Sequence, residues 1–244
     1  MRTLRTTTIA LLLCAALAGC SEPSGPSPSA TVSPPATSAA PTSPAPTTMA
    51  PTTSPVPSPS PSSSVLRAVT THDFGIPTAG HPFATEHTVR PPVATPPAPP
   101  LPCLQEIAAA RHPEQRPGYD QMSFRFTGGF PSYEVGYVSA ITSPGTGEQL
   151  PVPGATAILR VRFQDAQAHD EAGRSCIRSA PAPTLGFPAI RGYVQAGDFE
   201  GVLDFGIAVG VKPAGAAGRV RTVEVERLEG GQHLSILAVQ VTTP

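Results

Sequence analysis

The sequence has no tryptophan, a single lysine at Lys212, and charged residues at only 14% of its 244 positions. Its formal net charge of −1 leaves no basic footprint for nucleic acid or for an anionic lipid surface. No apolar run reaches the roughly 20 residues of a spanning helix. Gly-x-Ser-x-Gly, Walker, His-Glu-x-x-His and Cys-x-x-Cys spacings are all missing, so no nucleophile elbow, phosphate cradle or metal pair is expected. Neither an enzyme nor a bound cofactor is expected. What abounds is proline, at 33 positions, far above the usual share of about 5%. Most of it falls in one region, which leaves material for one core.

The N-terminus reads as an address. Arg2 and Arg5 form a short basic segment, and Ile9 to Ala18 is an apolar stretch of signal-peptide length. It runs into Leu17-Ala18-Gly19-Cys20, which resembles the lipobox of bacterial lipoproteins. That resemblance implies removal of residues 1–19 and diacylation of Cys20, since two acyl chains hold a protein to a membrane where one is marginal. The alternative is an ordinary secretory signal cleaved near Ala18. Cys14 would leave with either signal.

Residues 20–102 are dominated by Pro, Ser, Thr and Ala. Segments such as Pro55-Val56-Pro57-Ser58-Pro59 have no apolar period and bury too little surface to offset chain entropy. They read as a disordered stalk. Roughly 80 residues in polyproline II would reach at most about 250 Å. Ser/Thr/Pro richness also permits O-glycosylation. Val65 to Arg90 interrupts the bias with Val65, Leu66, Val69, Phe74, Ile76 and Phe83. This stretch is read as partly ordered linker, with a short docking strand or an interaction motif as alternatives.

From Cys103 to Pro244 a period of two dominates. Met122, Phe124 and Phe126 share one face, as do Leu159, Val161 and Phe163. Gly128-Gly129 and Gly197-Asp198-Phe199-Glu200-Gly201 read as turns, the latter a hairpin into Leu203 to Val209. Arg219 to Glu226 is strand-like but ambiguous in face, and Leu234 to Val241 is apolar on both faces, as in a central strand. Leu104 and Ile107, three apart, suggest at most a turn of helix. About seven short strands predict an all-β domain, a sandwich or a barrel.

Gly118-Tyr119-Asp120-Gln121-Met122-Ser123-Phe124-Arg125-Phe126, then Gly128-Gly129-Phe130-Pro131 and Tyr133-Glu134-Val135-Gly136-Tyr137, resemble the AMIN-like domain of actinobacterial lipoproteins. Ala168-His169-Asp170-Glu171 and Ala196-Gly197-Asp198-Phe199-Glu200-Gly201 continue the pattern in order. The resemblance implies a single β-sandwich over residues 103–244, and a non-catalytic module for peptidoglycan or envelope rather than an enzyme. The chain departs from the pattern at Gly230 to Ile236, so no ligand role is carried over to that strand.

Chemistry is sparse. His169-Asp170-Glu171 reads as a polar loop, because three neighbours on an extended chain cannot converge on one metal. Asp198, Glu200 and Asp204 would be a glycosidase's acids only if two flanked one bond, and acids around a Gly-bounded hairpin are usually solvated. Cys103 and Cys176 remain in the exported chain and are expected to pair, two buried thiols being the alternative. Arg125, Arg160, Arg162 and Arg191 alternate with apolar residues and, with Tyr193, form a candidate ligand face for carboxylates of a cell-wall glycan peptide. Against that stands scattered surface charge paired with Glu134, Asp165 or Glu224. The partner is expected to be cell-wall glycan or an envelope protein, the latter captured by strand addition at a sheet edge. Contact with the membrane is expected through the lipid alone, at its extracytoplasmic face.

Overall fold

The computed structural model describes residues 63–88 and 100–244. The expected signal peptide, Cys20 and most of the expected stalk lie outside the described residues. Strands β1 (Ser63–Gly75), β2 (Phe83–Thr85), β3 (Cys103–His112), β4 (Tyr119–Thr127) and β5 (Ser132–Val138) come first. The short β6 (Ile141–Thr142) and β7 (Gln149–Leu150) follow. The chain then forms β8 (Ala157–Gln164), β9 (Ile190–Phe199), β10 (Val202–Val209), β11 (Val220–Glu229) and β12 (Gln232–Thr242). Two antiparallel five-stranded sheets result. Sheet A has the order β1-β11-β12-β4-β3 and sheet B the order β2-β5-β8-β10-β9. Both are open, so the fold is a sandwich and not a barrel.

Alternation builds the core. Met122, Phe124 and Phe126 of β4 and Leu237, Val239 and Val241 of β12 face Leu159, Val161 and Phe163 of β8 and Phe205 and Ile207 of β10. Phe124, Phe126, Phe163 and Phe205 meet at tilted or edge-on angles with centroids 4.9–6.3 Å apart. Each such side chain, fully buried, stabilises the fold by about 1.5–3 kcal/mol. β12 lies between β11 and β4, the central position its two-sided apolar character predicts. Glu200 and Gly201, both at positive φ, make the two-residue turn between β9 and β10.

Three sequence readings change. The Leu104/Ile107 spacing belongs to a strand: β3 is bulged between Leu104 and Glu106, and the extra residue brings both side chains to the core. Val65 to Arg90 is not simply linker. Residues 63–75 pair with β11 along an edge of sheet A, and residues 83–85 pair with β5. The ordered sheets therefore begin well before Cys103. β1 carries no clear apolar period because its inward side meets polar groups. Thr71 Oγ1 lies 2.8 Å from both Tyr133 Oη and Thr222 Oγ1. Buried Glu224 accepts from Tyr133 Oη at 3.1 Å and pairs with His87 Nε2 at 2.9 Å. Thr222 and Glu224 thus point inward from β11 while Val223 and Val225 point outward, which is why that strand's face was ambiguous.

His72 joins this network. Its Nδ1 lies 2.9 Å from Thr222 Oγ1, and its ring stacks on Phe83 at 4.7 Å. Burial pushes its imidazole below the usual value, partly opposed by a hydrogen bond at Ala84 and by the charge of Glu224. The folded state therefore binds a proton less readily than the unfolded chain. This contribution to stability is complete above about pH 6.5 and is lost as pH falls toward the depressed folded value. Urea unfolding midpoints should fall between neutral and mildly acid pH, and His72→Gln should flatten that slope. An unchanged slope in the variant would remove His72 as its source.

Candidate functional site

The two outer faces of the sandwich differ. Sheet B is covered by its own connections. The Thr78 carbonyl lies over Gly136, where an added Cβ would sit 3.0 Å from it, and Ile141 lies over Gly206, where a Cβ would meet it at 2.7 Å. Glycine at these points lets backbone and loop approach. On the same sheet Pro144 packs over Gly197. The segment 181–186 closes the β9 edge, with Tyr193 N–H donating to Pro183 O at 2.9 Å. A disulfide joins Cys103 to Cys176. It clips the segment 166–179 along β3, where Leu104 N–H donates to Gln167 O at 2.8 Å and Ile107 N–H to Ser179 O at 3.0 Å.

Among the described residues, the long connections thus lie over sheet B or along these edges rather than over the outer face of sheet A, whose central residues Ser123, Ile236, Ala238 and Gln240 are nevertheless only 4–7% exposed. Its rows follow from the register. Thr70, Val223, Ala238, Ser123 and Ala108 cross all five strands, and Ala68, Val225, Ile236, Arg125 and Glu106 form a parallel row. Small and β-branched side chains fill most of this face, which is about 26 Å long along β4 and about 19 Å across. At one end Arg221 lies 4.4 Å from the centroid of Phe74 and 5.3 Å from that of Tyr119. From there a chain of hydrogen bonds crosses three strands. Arg221 Nε donates to Gln240 Oε1 at 2.6 Å, Gln240 Nε2 to Gln121 Oε1 at 2.8 Å, and Gln121 Nε2 to Ser123 Oγ at 3.0 Å. At the other end Arg125 Nη1 donates to Glu106 Oε2 at 3.1 Å beside Glu229. Fixed polar groups at both ends of a flat strip suit an extended polar ligand lying along the strands.

The candidate face of the sequence is divided by the structure. Arg125 lies on the outer face of sheet A, whereas Arg160 and Arg162 lie on that of sheet B, between the covering segments. Arg160 forms a bidentate ion pair with Asp204, whose carboxylate is only 4% exposed. These hydrogen bonds hold the Arg160 proton more tightly than usual, against the opposing effect of burial. Its partner is none of Glu134, Asp165 or Glu224. Arg162 lines a cleft of about 70 Å³ with Ala79, Pro82 and Glu134, too small for a sugar ring. The Arg191 side chain lies against the bare backbone of Gly210 and Gly154. Tyr193 packs against the core and donates its hydroxyl to Pro181 O at 2.9 Å, so it pins a loop.

The acids have structural partners as well. His169 Nδ1 lies 2.7 Å from Asp198 Oδ2, and Asp170 closes its own turn by accepting from Ala172 and Arg174. Buried Asp120 accepts from Ala189 and Ile190. Among the described residues no group of three or more His, Cys, Asp or Glu is placed to hold a metal ion.

Residues 102–240 match the AMIN-like domain family. The chain belongs to that family. No curated protein and no solved structure matches it. The AMIN-like match starts at β3, so β1 and β2, which supply one edge of each sheet, lie N-terminal to it. Gln121, Ser123 and Arg125, all within the matched residues, share the outer face of sheet A. Of these, Arg125 was read from the sequence as outward by its alternation with apolar residues. Glu106, Arg221, Val223 and Gln240 of the same face were missed, because nothing local marks which outward side stays open.

Proposed function

We propose that this chain is a lipid-anchored extracytoplasmic protein, held by Cys20, that displays a non-catalytic envelope-binding module on a Pro/Ser/Thr stalk reaching into the cell wall. In this reading the outer face of sheet A meets cell-wall glycan and its peptides. AMIN-like domains are generally modules for peptidoglycan or envelope, and Leu17-Ala18-Gly19-Cys20 with the stalk behind it supports display outside the membrane. The observation that carries the choice of face is the asymmetry of the sandwich. The domain's own loops lie over part of the outer face of sheet B, while sheet A keeps a closely packed strip of small side chains with ordered polar ends.

The test is co-sedimentation of the protein with purified wall sacculi. Val223→Glu combined with Ala108→Glu places two carboxylates on one row of the strip. Both positions are partly exposed, so stability should shift by no more than about 1 kcal/mol. Sedimentation should fall at least about tenfold, with like charges opposing wall carboxylates. Wild-type protein that stays in the supernatant at low salt would defeat the wall reading. Full sedimentation of the double variant would move the site off sheet A.

A second reading has its own observation. β1 is an edge strand of thirteen residues, and Val65 and Leu66 are 57% and 50% exposed. An extended segment of an envelope protein adding to β1 would bury them. Capture of a detergent-extracted envelope protein by wild type, lost on Leu66→Pro, with no sacculus binding, supports this reading over the first.

A further inference from the structure

At one end of the open strip, beyond Arg125, lies a cavity of about 230 Å³. Gln105, Glu106, Arg125, Arg178, Glu229 and Leu234 line it. Its ionic lining is balanced: two guanidinium groups against two carboxylates. A net anion or a net cation gains little there from overall charge. A ligand carrying both signs a short distance apart gains twice.

The lining is also incompletely satisfied from within. Arg125 makes one hydrogen bond, to Glu106, and its Nε has none. Glu229 Oε2 lies 4.0 Å from Arg125 and 3.6 Å from Arg227, beyond hydrogen-bonding reach of both. Gln105 Oε1 is buried without a partner. The Arg178 side chain makes no hydrogen bond or ion pair among the described residues, yet its backbone is fixed. Its N–H donates to Gln105 O at 2.8 Å, two residues beyond the Cys176 disulfide. An exposed guanidinium on an anchored backbone beside a second, half-buried one is a fork for a carboxylate. Glu106 and Glu229 are acceptors for an ammonium group, and Leu234 supplies apolar surface. The volume is below that of a pocket for a drug-sized ligand, and it suits a group of amino-acid size.

We infer that this cavity recognises a zwitterionic amino-acid group, an ammonium and a carboxylate on one carbon, with the carboxylate on Arg125 and Arg178 and the ammonium on Glu106 or Glu229. The inference rests on the reading of sheet A as the binding face and names the chemical group that its charged end selects. Such a group can be the free end of a wall peptide or a soluble amino acid.

The test titrates the full chain with alanine, N-acetylalanine and alanine methyl ester, following NMR shifts of the Gln105, Glu106 and Gly230 amides. Alanine should bind in the millimolar range expected for about six heavy atoms, and each blocked form at least about tenfold more weakly. Arg178→Ala should weaken alanine binding about tenfold without lowering the urea midpoint, and Arg178→Lys should recover only part of it. Equal binding of alanine and N-acetylalanine would overturn the inference in favour of a plain anion site. An absence of shifts with all three probes would overturn it outright. Neither result touches the wall reading, which stands or falls on sedimentation of the wild type. Competition assigns the source. Alanine that displaces the protein from sacculi supports a zwitterion on the wall, and alanine that binds without displacing it supports a soluble amino acid.

Discussion

Arg160→Ala is expected to lower the stability of the folded domain by about 2–3 kcal/mol, whereas Arg162→Ala, one alternation along the same strand, should change it by less than about 1 kcal/mol. The two arginines look equivalent in the sequence, each flanked by core residues of β8. Their surroundings separate them. Arg160 holds the buried carboxylate of Asp204 through Nε and Nη2, and truncation leaves that charge in a site sealed from water. Breaking a fully buried pair typically costs about 3–5 kcal/mol. The guanidinium is 36% exposed, so water screens part of the interaction and the lower figure applies. Arg162 has no ion pair among the described residues. Urea unfolding at constant slope reads the difference. A second variant isolates the cause: Arg160→Met with Asp204→Leu removes both charges at similar volume and should recover most of the loss. Equal midpoints for Arg160→Ala and Arg162→Ala would contradict this account of the pair. Arg160 is thereby a poor probe of wall binding, since its removal lowers the stability of the whole domain.

Removing the Cys103–Cys176 link should cost more. It closes a loop of 73 residues, for which the chain-entropy estimate is about 4 kcal/mol, an upper figure because the reduced chain retains some order. The loss should be local before it is global. The bond holds the segment 166–179 against β3, and that segment supplies partners to Leu104 and Ile107 N–H and to the carbonyls of Pro102 and Gln105. In the Cys103→Ala/Cys176→Ala variant, amide exchange should rise first at Leu104, Ile107, Gln167 and Arg178. The β8–β10 ladder, with Leu159, Val161, Phe163, Phe205 and Ile207 behind it, should stay protected. Uniform loss of protection across both sheets would show that the segment is not a separable unit. Because Arg178 is two residues from Cys176, the same variant should also weaken alanine binding at the charged end of sheet A.

Much of the sandwich was legible from residue pattern alone. Strands β4, β8, β10 and β12 announce themselves because their inward positions are apolar and every second residue tells the same story. The β9–β10 turn is written in Glu200-Gly201, and the pairing of Cys103 with Cys176 is what two cysteines would be expected to do if the chain is exported. Elsewhere the pattern misled for physical reasons. The Leu104/Ile107 spacing comes from a bulge, which adds a residue and turns a period of two into a step of three. Strand β1 and the register of β11 were hidden because the space between them and β5 is filled by Thr71, Thr222, Tyr133 and Glu224 rather than by hydrocarbon. Hydrogen bonds bury those groups as well as apolar contact would, and leave no hydrophobic period to read.

The sequence by itself determined the all-β class of the fold, the parity of the core strands, the expectation that Cys103 pairs with Cys176, and the outward direction of Arg125. All of these depend on a residue's own chemistry and its near neighbours. Only the tertiary structure decided which outward side remains a surface. That depends on where Thr78, Ile141 and Pro144 come to rest on sheet B, and on Asp204, 44 residues beyond Arg160 in the chain, claiming that guanidinium. Covering a sheet face is a contact between distant segments, set by loop reach and by glycines that let backbones approach, and no local periodicity encodes it.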